Sequence, residues 1–121
     1  KRDLLDAKVP GLSLDRRFAT AYNAALQAGR ACLAAEGYRT SGQGHHASVF
    51  KALRAILDMR HHHLLDYLDD CRSKRNLAEY TGTEVASEKE VSDLMAEALG
   101  FVELVRSHIR KSYPSLWSPS R

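Results

Sequence analysis

Between Phe18 and Leu33, apolar or small residues return every three or four positions, at Phe18, Ala21, Tyr22, Ala25, Ala28, Gly29, Cys32 and Leu33. That period fits one face of an α-helix of about twenty residues and no face of a strand. The face is also small-sided, because Ala21, Ala25, Ala28 and Gly29 let another helix approach closely. A helical glycine costs about 1 kcal/mol relative to alanine, so close packing is the reason to expect for Gly29. Ser13 or Asp15 can cap the start by accepting an otherwise orphan amide N–H. Gly37 follows Glu36 at the place of a helix-ending glycine.

The same period recurs along the chain. Thr40 to Gly44 reads as a loop, and a second helical pattern follows through Val49, Phe50, Leu53, Ile56 and Leu57. Asp58 can cap a new helix there. A third pattern holds Leu64, Leu65, Leu68 and Cys71, continues through Arg72, Arg75, Asn76, Glu79 and Tyr80, and ends at Gly82. Ser87 and Glu90 have capping-box spacing. Behind them Val91, Leu94, Met95, Ala98, Leu99, Val102, Val105 and Ile109 mark a fourth helix of about six turns. Pro114 and Pro119 argue against helix beyond Tyr113. Strand-like alternation and internal repeats are both lacking.

These patterns predict an all-α, four- or five-helix up-and-down bundle, with long helices over residues 14–35 and 88–110. At 121 residues the chain has room for one domain. Its expected parts are a lead over 1–12, the bundle over 13–111 and a tail over 112–121. Hydrophobic residues make 44% and charged residues 27%, a balance that excludes disordered and collagen-like classes. The longest apolar run, Ala31 to Ala35, falls far short of a membrane span. Lys1, Arg2, Asp3 and Asp6 flank only Leu4 and Leu5, which does not read as a signal peptide. Cys32 and Cys71 fall in helical patterns and read as buried thiols of a reducing, cytoplasmic compartment.

The formal charge of +3 conceals an uneven distribution. Residues 1–54 carry nine Lys or Arg against four Asp or Glu, residues 82–103 come to −5, and residues 104–121 come to +4. A basic patch forms only if the two termini meet in space.

Most catalytic patterns are missing. His45 with His46, and the run His61 to His63, are adjacent pairs whose side chains diverge by about 100° on a helix. With no i,i+4 pair of histidines, the spacing predicts no metal site and no cofactor. There is no phosphate loop ending in Gly-Lys-Ser/Thr and no nucleophile elbow. The polar stripe of the third helix is more informative. Positions 72, 75, 76, 79 and 80 follow i,i+3 and i,i+4 steps, so an apolar face turns polar without changing direction. A partly buried Arg–Glu network would account for it, with the Tyr80 ring in the core. So would a groove in which Arg72 or Arg75 meets phosphate, Asn76 bonds a base or sugar, and Tyr80 stacks.

Three phrases resemble a known family. The segment from Ala19 to Thr40, ending Glu36-Gly37-Tyr38-Arg39-Thr40, looks like the first long helix of HEPN domains. Gly42 to Phe50 is similar to that family's loop into its second long helix. Arg72-Ser73-Lys74-Arg75-Asn76-Leu77-Ala78-Glu79-Tyr80 resembles a variant of its arginine motif. The resemblance implies a HEPN-like bundle, commonly a homodimer, working in RNA processing, toxin–antitoxin or defence systems. An antitoxin or a small nucleotidyltransferase is the partner it implies.

Active members of that family carry an arginine, a polar residue and a histidine about five positions after the arginine. Arg75 and Asn76 match the first two, and Tyr80 stands at the histidine's place. Tyrosine, with a pKa near 10, is a poor base at neutral pH. The expectation is therefore a noncatalytic module that binds RNA or protein through Arg72, Arg75, Asn76, Glu79 and Tyr80. The alternatives are a metal-independent endoribonuclease with Arg72 and Arg75 as its catalytic candidates, and a structural homodimer or assembly adaptor.

Overall fold

The computed structural model describes residues 13–37, 45–81 and 86–113. The 1–12 lead, the Thr40 to Gly44 loop, the stop at Gly82 and the segment bearing Pro114 and Pro119 lie outside the described residues. Within them the chain forms helices α1 (Leu14–Ala35), α2 (His45–Leu53), α3 (His62–Thr81) and α4 (Glu88–Ser112). No strand occurs among the described residues. The architecture is an all-α, four-helix bundle.

Local chemistry sets most of the helix ends. Ser13 is the cap of α1 and accepts from the Arg16 N–H at 3.1 Å. Asp15, the other candidate, instead accepts from the Ala86 N–H at 2.8 Å and ties the start of α1 to the approach to α4. Gly37 takes a φ of 87°, the left-handed conformation that ends α1 at low steric cost. Helix α2 stops at Leu53, earlier than the apolar pattern suggested, although Leu57 still donates to the Leu53 carbonyl and is buried. Asp58 then caps a short 3-10 turn, Met59–His61, that leads into α3. Ser87 and Glu90 form the full capping box of α4.

The first and last helices run in the same direction. Arg17 reaches Glu88 at 3.6 Å where both begin, and Glu36 meets His108 at 2.8 Å where both end. Helix α3 runs against them, placing Lys74 2.5 Å from Glu90 near the start of α4. Tyr22 of α1, Phe50 of α2 and Phe101 of α4 join in two edge-to-face contacts, each with centroids 6.0 Å apart. Around them Leu33, Leu53, Leu65, Leu68 and Leu94 are fully buried. On α4 it is Phe101 that enters the core, whereas Leu99 of the expected stripe is 47% exposed.

Gly29 performs the close packing its sequence context implied. A Cβ there would lie 3.1 Å from Val49 Cγ1 and 3.3 Å from Leu53 Cδ1, so α2 rests nearly on the α1 backbone. That contact and the parallel α1–α4 seam fix where α3 must lie. Its first half fills the remaining side of the core.

Candidate functional site

Leu65, Leu68 and Cys71 give α3 a buried face up to its middle. One turn later the same side carries Arg72, Arg75 and Asn76, which line a cavity of about 240 Å³ together with Tyr22 and Leu26 of α1. Helical spacing had predicted the three α3 residues to share a face, and in the fold they do meet. Tyr22 was legible only as a member of the α1 core stripe, and Leu26 lay outside that stripe. Their role depends on the register between α1 and α3, which no local pattern encodes. The one available signal was a phenol within a stripe of alanines.

The charged side chains lining the cleft are the two guanidinium groups. Arg72 Nε lies 3.3 Å from Asp69 Oδ1, an i,i+3 pair that holds its stem against the helix. The Arg75 guanidinium carbon lies 5.9 Å from the centroid of the Tyr22 ring, a cation–π contact on a largely buried aromatic face. Arg75 Nη1 also donates to Asn76 Oδ1 at 3.5 Å. Burial pushes the Tyr22 hydroxyl up to about 12, against the opposing pull of Arg72 and Arg75. At neutral pH Tyr22 therefore keeps its proton and can orient a ligand or hold a cation but cannot accept a proton as a base. Two guanidinium groups and an amide around a small cleft suit a phosphate and its attached sugar.

The remaining predicted positions lie elsewhere. Tyr80 is 91% exposed and does not line the cleft. The side chain of Glu79 lies outside the described residues, and the carboxylate paired with Arg72 is that of Asp69. Residues 62–81 form one continuous helix, so His63 stands about 18 Å along the axis from Arg75. His62 Nε2 is 2.8 Å from the Arg54 carbonyl, a local bond of the ordinary kind. His108 Nε2 meets Glu36 Oε2 at the far end of the α1–α4 seam. The side chains of His45 and His46 are outside the described residues.

Other titratable groups do structural work. The hydrogen bond from His108, with a second from Tyr113, holds the Glu36 carboxyl below its ordinary range. Burial pushes the thiols of Cys32 and Cys71 up to about 11, which keeps them protonated and unreactive. No helix among the described residues is long and apolar enough to cross a membrane.

Among families of known proteins, the one described as SAV_6107-like HEPN has a model that matches residues 12–106 of this chain. No curated protein and no solved structure matches it.

Proposed function

The chain belongs to the HEPN family, and from that premise we propose that it is a noncatalytic RNA-binding module whose phosphate contacts come from Arg72 and Arg75. The observation that carries this reading is the cleft in which both arginines and Asn76 face the buried Tyr22. The arginines meet the phosphodiester backbone, Asn76 bonds sugar or base, and Tyr22 keeps the Arg75 guanidinium in place. Tyr80 stands at the histidine's position, and a tyrosine is a poor base at neutral pH, so binding is favoured over cleavage.

The reading extends to assembly and setting. Leu77, 50% exposed, and Tyr80 continue beyond the cleft toward the end of α3, a surface that a second copy would cover in a homodimer. The module then acts in the cytoplasm within a toxin–antitoxin or defence system, beside an antitoxin or small nucleotidyltransferase.

A salt-dependent RNA titration of the wild type and of Arg72→Ala/Arg75→Ala tests the binding claim, once both have been shown to share helicity and oligomeric state. The double variant should bind more weakly, with a salt slope smaller by roughly one unit per lost phosphate contact. Equal affinity and equal slope would overturn the cleft. Incubation of the wild type with mixed RNAs, with and without chelator, should leave them intact. Cleavage that disappears in Arg75→Ala would replace this reading with the endoribonuclease.

A further inference from the structure

We infer that the opposite end of the bundle carries a second, independent anion site, built to take a terminal phosphate monoester. A cavity of about 310 Å³ opens there between the segment preceding α3 and the last turns of α4. Leu57 and Leu104 give it an apolar floor, and Arg60, His61, His108 and Lys111 bring nitrogen groups to its wall. Two separate elements supply those groups. Lys111 alone could be explained as a cation in the final turn of α4, where the helix dipole favours it. The dipole of α4 does not account for Arg60 and His61, which reach the same cavity from the 3-10 turn.

The fixed charges leave room for a ligand. Asp58 is the one carboxylate among the described residues that line the cavity; it caps that turn by accepting the Arg60 backbone N–H at 3.0 Å, and that bond, with the charge of Arg60 nearby, keeps it ionised and a counter-charge within the site. Among the described residues neither Arg60 nor Lys111 has a carboxylate within ion-pair distance, while Arg60 Nε donates to His61 Nε2 at 3.4 Å. His108 is positioned from behind, its Nε2 held by Glu36 at 2.8 Å. Ser107 adds a hydroxyl beside it.

The guanidinium and the ammonium exceed the Asp58 carboxylate by one positive charge, and the Ser107 hydroxyl and the His61 and His108 rings add polar groups for a phosphate monoester, which carries about −1.5 to −2 at neutral pH. The volume lies at the small end of ligand pockets, enough for the phosphate and part of the body it is attached to. That body rests on the leucine floor. Such a phosphate has two sources of the same chemistry, a free mononucleotide and the phosphorylated 5′ end of an RNA strand. None of these residues belongs to the Arg72 and Arg75 cleft, so the two sites stand or fall separately.

Calorimetric titration of the full chain with 5′-AMP, adenosine, and matched RNA hexamers with and without a 5′-phosphate tests the site. Tighter binding of 5′-AMP than adenosine supports it with a free nucleotide as source. A preference confined to the 5′-phosphorylated hexamer supports it with an RNA end as source. In either case Arg60→Ala/Lys111→Ala, whose changes fall on exposed positions, should weaken binding roughly tenfold or more with helicity unchanged. Arg72→Ala/Arg75→Ala should leave that phosphate preference intact. Lack of any preference for the phosphorylated probes, or a preference that survives loss of both Arg60 and Lys111, would overturn the proposal.

Discussion

Along α1 and α4 the buried face runs through most of each helix, from Phe18 to Leu33 and from Val91 to Val105, whereas along α3 the last buried position among the described residues is Cys71. Beyond that point α3 stays helical for more than two further turns, and those of its side chains that are described are half-buried or exposed. In the seam, burial explains both the helices and their composition. The second half of α3 has no such explanation, and what it presents is two arginines and an amide. The contrast separates residues that packing explains from residues that packing leaves unexplained.

Substitutions can break that contrast, beginning at its strongest point. Phe101→Ala removes the ring at the centre of the seam and should cost about 3–5 kcal/mol. A denaturant titration reads this as a lower midpoint with an unchanged slope; a loss below about 1 kcal/mol would mean the core lies elsewhere. Gly29→Leu drives a side chain into Val49 and Leu53 and should cost about 1–3 kcal/mol. Stability equal to the wild type would show that α2 can shift away without penalty. Ser87→Ala removes one half of the capping box and should cost about 0.5–2 kcal/mol.

The smallest effect concerns the far end of the seam and appears only in acid. Because the fold holds the Glu36 carboxyl below its ordinary range, its contribution is complete above the usual carboxylate pKa of about 4.3 and fades as pH falls through the lower folded value. The stability gap between wild type and Glu36→Gln should thus close as pH falls below about 4. A gap that stayed open well below about pH 4 would mean that the fold does not hold Glu36 as an ionised carboxylate.

What was legible in the sequence was mostly what is decided within a few residues. The box at Ser87 and Glu90 depends on a three-residue separation, and the four helices follow from a period repeated every turn. The choice of Ser13 over Asp15 as cap was open because both are good acceptors. It was settled by Ala86, whose N–H lies across the bundle and takes Asp15. Phe101 against Leu99 was likewise decided by the neighbouring helices, since both flank the α4 stripe.

The same reasoning explains the candidate site. Spacing along α3 fixed the common direction of Arg72, Arg75 and Asn76. It could not say whether another helix covers that direction at each turn. Helix α1 supplies Tyr22 and Leu26 opposite the arginines, but Tyr80 remains 91% exposed. Direction is local, and cover is not.

The parallel run of α1 and α4 also governs the order in which the protein can be made. The bond from Ala86 to Asp15 joins residues 71 apart, and the main seam brings together α1 and α4, which are distant in sequence. Doubling the length of such a closure adds only about 0.6 kcal/mol, but contacts this distant in sequence slow folding. During synthesis α1 emerges with its alanine and glycine face already complete and with no α4 to receive it. Helix α2 can cover the Gly29 end of that face as soon as it emerges, whereas the part that receives α4 stays open until α4 itself leaves the ribosome.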